Sequence, residues 1–119
     1  MLIIEDEPGI RQYLREVFSD CEVLDHACVE DAQSSWEGDY DLILCDLVLP
    51  GASGMDFCSW LLQHHPEELH KVLLMSGGLL KPEHEVQLHS LPELPLLQKP
   101  FTMAQLQSAA DSILSSAPS

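Results

Sequence analysis

The sequence predicts an α/β domain: a doubly wound, five-stranded parallel sheet with strand order 2-1-3-4-5. Apolar runs at Met1–Ile4, Asp41–Leu49, Val72–Met75 and Leu94–Leu97 are continuous rather than alternating, as in strands buried on both faces. Stretches with apolar residues at helical spacing lie between them. Strand and helix thus alternate five times, the pattern of a parallel sheet with right-handed crossovers. The length, 119 residues, is that of one ordinary domain, and the doubly wound order is the natural solution for an open sheet of five such units.

The elements follow in order. Met1–Ile4 is the first strand. Pro8 suits the first turn of a helix that carries Ile10, Leu14, Val17 and Phe18 on one stripe. Cys21–Cys28 is a weaker run, broken by Glu22, Asp25 and His26, which suits an edge strand. A short second helix is expected over Glu30–Glu37, stopping at Gly38. After the third strand, Asp41–Leu49, Ser53 caps a helix with Asp56 three residues on, and Phe57, Trp60 and Leu61 face inward. Val72–Met75 is the fourth strand. The helix after it has a poor signal: Pro82 can start it and Val86 and Leu88 can pack, but Pro92 and Pro95 end it early. It is expected to be short or irregular. Leu94–Leu97 is the fifth strand, and Thr102 with Gln105 forms a capping box for a last helix with the stripe Leu106, Ala110, Ile113 and Leu114. Residues 115–119 are expected to fray, and residues 1–119 read as a single domain without repeats or linkers.

Composition narrows the function. An apolar content of 45% excludes a disordered tail. No apolar run approaches the ~20 residues of a membrane span, and none follows a basic signal segment, so a cytoplasmic location is expected. Cys21, Cys28, Cys45 and Cys58 form no CxxC pair or metal spacing and read as reduced packing residues. The formal net charge of −15 argues against nucleic acid and against an anionic membrane surface as partners. The histidines read as scattered surface residues, Trp36 and Trp60 as packing residues, and Glu7 as a solvated first-turn acid.

In doubly wound sheets, ligands bind beyond the carboxyl ends of the strands, where strand order reverses. Glu5 and Asp6 end the first strand, Asp46 lies near the end of the third, Ser76 ends the fourth and Lys99 the fifth. These residues, distant in sequence, should converge at one rim. Three carboxylates together repel, so one takes a proton or a cation joins them. The offered atoms are all oxygens, which favours a hard ion such as magnesium over zinc. Lys99 can pair with Asp46, an acid whose apolar flanks, Leu42–Cys45 and Leu47–Leu49, otherwise make its charge costly.

At these residues the chain resembles the receiver domain of two-component response regulators. The resemblance rests on IIEDEP (3–8), LILCDLVLPGASG (42–54) with Pro50 and Gly54 after Asp46, VLLMSG (72–77) and QKPF (98–101), and it covers essentially the whole chain. It implies a flavodoxin-like receiver fold and a phosphorelay function, in which Asp46 takes a phosphoryl group from a partner's phosphohistidine and signals by a conformational shift. Asp6 would be a direct magnesium ligand, Glu5 would act through water, and the backbone carbonyl of Val48 would be a further ligand. Ser76 would bond a phosphoryl oxygen, Lys99 would pair with the acceptor or its phosphate, and the Lys99–Pro100 bond would be cis. The implied partner is a histidine kinase or histidine phosphotransfer domain docking near Ile10 and Pro100. An output domain or the remainder of a hybrid histidine kinase is expected elsewhere in the protein, the chain reading as a free-standing receiver or an excised module.

Departures from the family pattern are specific. The aromatic residue common three positions before the lysine is Leu96 here, serine replaces the commoner threonine at Ser76, and Lys81–Pro95 carries extra prolines. Two other functions fit parts of the pattern: a receiver-like interaction module that never takes phosphate, and a magnesium-dependent phosphohydrolase with an aspartyl-phosphate intermediate. The second would place an acid two residues after the nucleophile, where Val48 stands.

Overall fold

A computed structural model of the chain describes residues 1–77 and 82–115. Five strands and five helices alternate: β1 (Leu2–Ile4), α1 (Pro8–Val17), β2 (Leu24–His26), α2 (Val29–Ser34), β3 (Ile43–Asp46), α3 (Gly54–His64), β4 (Val72–Ser76), α4 (Pro82–His89), β5 (Leu96–Gln98) and α5 (Met103–Ser115). The sheet is parallel throughout, in the order β2-β1-β3-β4-β5, as the sequence predicts.

The central strands are buried on both faces and so feed two cores. Leu2, Ile4, Ile43, Cys45, Val72 and Leu74 point to one side, where Val29, Met55, Phe57 and Leu61 cover them. Ile3, Leu44, Leu73 and Met75 point to the other, where Leu14, Leu106, Ala110 and Ile113 close the layer. This period of two across continuous apolar runs explains why no alternation is visible in the sequence. Cys45 and Cys58 are buried free thiols; burial pushes Cys58 up to about 12 and Cys45 well above its ordinary value.

The predicted caps form. Ser53 Oγ accepts from the Asp56 amide at 3.1 Å while Asp56 Oδ2 accepts from the Ser53 amide at 2.8 Å. Thr102 and Gln105 make the same reciprocal pair at 3.1 and 2.8 Å. Each satisfies backbone donors that a helix start leaves free, an effect of about 1 kcal/mol.

Several expectations need correction. The run Asp41–Leu49 is strand only over Ile43–Asp46; Leu47 and Leu49 remain buried in the following loop. Helix α2 spans Val29–Ser34 rather than Glu30–Glu37, which leaves Trp36 beyond its end. Strand β5 is an edge strand, not one buried on both faces: Leu96 is 44% exposed. On α4, Leu88 packs against the core but Val86 is 72% exposed, and on α5 Leu114 leaves the stripe at 42% exposed. A 3₁₀ helix over Pro66–Lys71 follows α3 and was not predicted. Of the tail expected to fray over 115–119, Ser115 is the last residue of α5; residues 116–119 and the start of the altered stretch at Lys81 lie outside the described residues.

The histidines are not all scattered on the surface. His65 stacks on Trp36 with ring centroids 5.1 Å apart and meets Trp60 edge-on at 5.2 Å, while His64 lies 5.7 Å from Trp60. Trp36 and Trp60 are packing residues, as read, in a cluster with Tyr40 and Phe57. The cluster joins the end of α3 to the segment entering β3, at the sheet end opposite the strand carboxyl termini.

Candidate functional site

Parallel pairing brings the carboxyl ends of β1, β3, β4 and β5 to one rim. Asp46 is the last residue of β3 and Ser76 the last of β4; Glu5 and Lys99 follow β1 and β5 directly. Backbone bonds continue the ladder past the strand ends: the Glu5 amide donates to His26 O at 3.0 Å, Leu47 to Met75 O at 2.8 Å, and Lys99 to Ser76 O at 2.7 Å. The side chains therefore leave a common ledge whose positions the sheet sets.

Lys99 Nζ donates to Glu5 Oε1 at 2.6 Å and to Asp46 Oδ2 at 2.8 Å. The other Asp46 oxygen, Oδ1, accepts from the Val48 amide at 3.2 Å. Glu5, Asp6 and Asp46 each offer a carboxylate oxygen, all within 4.8 Å of one another. Glu5 is fully buried, Asp46 is buried, and Asp6 is exposed. Ser76, also buried, stands at the same rim, joined to Lys99 through the backbone.

One ammonium group among three carboxylates leaves negative charge in excess. Burial, and then the neighbouring Asp46 carboxyl, hold the Glu5 carboxyl up at about 8 against its ordinary 4.5, despite the opposing pull of Lys99. Burial works to lower Lys99, but its hydrogen bonds and charge contacts with Asp46 and Glu5 prevail and raise it. Glu5 Oε2 is buried with no hydrogen-bond partner. An orphaned carboxylate oxygen beside two other carboxylates is the environment a hard divalent cation satisfies.

Sequence reasoning named Glu5, Asp6, Asp46, Ser76 and Lys99, and the fold gathers all five at one rim. It missed what supports them. Arg11, on α1, donates to the Glu5 carbonyl at 2.8 Å and steadies the turn leaving β1. Gly54 lets α3 start against the backbone of Asp46 and Leu47, its amide bonded to Leu47 O at 2.9 Å. A Cβ on Gly77 would stand 3.3 Å from Lys99 Cδ, so this glycine leaves the lysine its path to the rim. The Lys99–Pro100 bond is cis. Glycines after strands three and four were visible signals; a fold was needed to show what they pass.

This fold and this acid-and-lysine rim define a class of signalling phosphoacceptor domains. The chain belongs to the response regulator receiver domain family, whose family model matches residues 1–111. The transcriptional regulatory protein CusR of Escherichia coli is 29% identical over 118 residues, spanning 96% of this chain and 50% of CusR. The response regulator RppA of Synechocystis is 30% identical over 113 residues, spanning 89% of this chain and 46% of RppA. The chain thus spans about half the length of these curated relatives. Among solved structures, the receiver domain of a Syntrophus aciditrophicus signal transduction histidine kinase shares the fold at a TM-score of 0.80 and 24% identity, over 96% of this chain and 88% of that one. The receiver domain of NtrX from Brucella abortus does so at 0.79 and 23%, over 97% and 98%.

Proposed function

We propose that Asp46 is the phosphoacceptor of this receiver, taking a phosphoryl group from a phosphohistidine on a kinase or phosphotransfer partner in the cytoplasm. The observation that carries this is Lys99 Nζ bridging Glu5 and Asp46, at 2.6 and 2.8 Å, beside the exposed carboxylate of Asp6. Magnesium is the cation that fits: the donors are all oxygens and one buried oxygen lacks a partner. Asp6, Asp46 and the Val48 carbonyl would hold it, with Glu5 behind them, and when bound it supplies charge neutralisation for the phosphoryl oxygens.

Asp46 attacks phosphorus in line; the new bond is carboxylate O–P, and the bond that breaks is imidazole N–P, whose electron pair returns to the histidine ring. Lys99 then follows the charge from the carboxylate to the phosphoryl oxygens, releasing Glu5. The Ser76 hydroxyl would donate to one of those oxygens. Tightening around the new group would draw in the end of β4, and α4 would shift as a population between two states. The apolar ledge of Ile10 and Pro100 is the proposed docking side.

The test is a mass measurement after treatment with acetyl phosphate and magnesium. The wild type is expected to gain one phosphoryl group, lost in base and absent with a chelator, and Asp46→Asn to gain none. An unchanged wild type, or an equal gain on Asp46→Asn, removes Asp46 from this role.

A further inference from the structure

We infer that the partner entering the groove between α1 and the β5–α5 turn presents a basic rim around an apolar helix face, an inference that rests on the proposed phosphotransfer reading. The groove has a volume of about 630 Å³, and its walls are Ile10 and Tyr13 on α1 and Pro100 and Phe101 after β5, with Gly9 leaving it open. Tyr13 and Phe101 lie nearly parallel across it, ring centroids 6.5 Å apart. Lys99 lies at its inner end and Glu7 on its edge. An apolar helix face fits these walls; what they leave open is the sign of charge around it.

The charges decide that sign. The chain has 20 acidic and 5 basic residues. Each described basic side chain is already engaged within the chain: Arg11 on the Glu5 carbonyl at 2.8 Å, Arg15 on Asp25 at 2.8 Å, Lys71 on Glu68 at 2.9 Å, and Lys99 on Glu5 and Asp46. By contrast, Glu7 on the wall of the groove is exposed with no ion pair among the described residues. Glu16, farther along α1, accepts only the neutral Gln12 amide, at 3.0 Å. A phosphohistidine adds more negative charge at the same place. Under the proposed reading Lys99 and the metal site take up that charge, but no described basic side chain pairs with Glu7 or Glu16, so the partner brings cations to face these two. Complementarity of this kind acts mainly on encounter rate and register, and salt screens it.

The probe is a pair of helical peptides with one apolar face in common, flanked by lysines in one and glutamates in the other, each added to ¹⁵N-labelled protein with magnesium. The lysine peptide should shift the amides of Ile10, Tyr13 and Phe101 and weaken as salt rises; the glutamate peptide should shift none of them. Reversing the rim with Glu7→Lys and Glu16→Lys should weaken the lysine peptide by roughly three- to tenfold. Equal binding of both peptides, shifts confined to residues away from the groove, or no effect of the reversal would overturn the inference. Acetyl phosphate, which needs no groove, separates the two levels. Labelling of Asp46 alongside a failed peptide test sinks the basic partner alone; absence of labelling sinks the phosphotransfer reading and this inference with it.

Discussion

A Cβ on Gly54 would lie 2.3 Å from the carbonyl oxygen of Asp46 and 3.0 Å from the Leu47 α-carbon. Real Cβ atoms do not approach backbone so closely, so the first turn of α3 fits against Asp46 only because residue 54 has no side chain. Gly54→Ala must push helix and strand apart. It is expected to lower stability by about 1–3 kcal/mol, read as a drop in urea midpoint, and to slow labelling by acetyl phosphate. An unchanged midpoint would show that the loop from Leu47 to Ser53 yields freely.

Lys99 is the one described cation between two buried acids. Lys99→Met removes the charge and keeps the bulk, leaving the buried Asp46 carboxylate beside Glu5 without a cation. A loss of about 3–5 kcal/mol is expected in the presence of a chelator, partly restored by magnesium. Equal stability with and without the lysine would mean that the acids relax or protonate at little cost.

The pH dependence of the metal-free protein should report Glu5. In the unfolded chain this carboxyl ionises near 4.5, whereas in the folded protein it keeps its proton up to about 8. Between those limits the folded state binds more protons, so stability is greatest at the acid end and falls as pH rises through about 8. Urea midpoints measured in chelator should decline across that window, and Glu5→Gln should flatten the decline. Magnesium, which needs the ionised carboxylate, should bind more tightly as pH rises through the same range. A flat wild-type profile would contradict the burial-driven shift.

Helix α4 has no fully buried residue, and Gln87 Nε2 reaches from it to Asp56 Oδ1 on α3 at 2.7 Å. That bond, followed by the Ser53 amide, holds the Asp56 carboxyl below its usual range. Gln87→Ala should raise amide exchange over residues 83–89 several-fold at a global cost of about 1 kcal/mol or less. Exchange unchanged in α4 would show that Leu88 alone holds the helix.

Most of the rim was legible because the signal is chemical. Asp46 stands alone among apolar neighbours, and Ser76 and Lys99 stop apolar runs, so topology alone gathers them. What escaped the sequence depends on neighbours across space. Leu94–Leu97 has the composition of a buried strand but falls at the sheet edge, which only the order of pairing decides. Val86 and Leu114 keep helical spacing but no element lies over them. His65 is half-buried because two indoles from separate segments meet there, and no local pattern announces such a meeting.

Cys45 precedes Asp46 in β3 and Cys58 lies in α3 against the same core, both buried and held as neutral thiols, while Cys21 is exposed. An alkylating reagent therefore finds Cys21 at once and the two inner sulfurs only when the sheet parts from its helix. The chain carries its own opening clock, with one of its hands fixed one residue from Asp46.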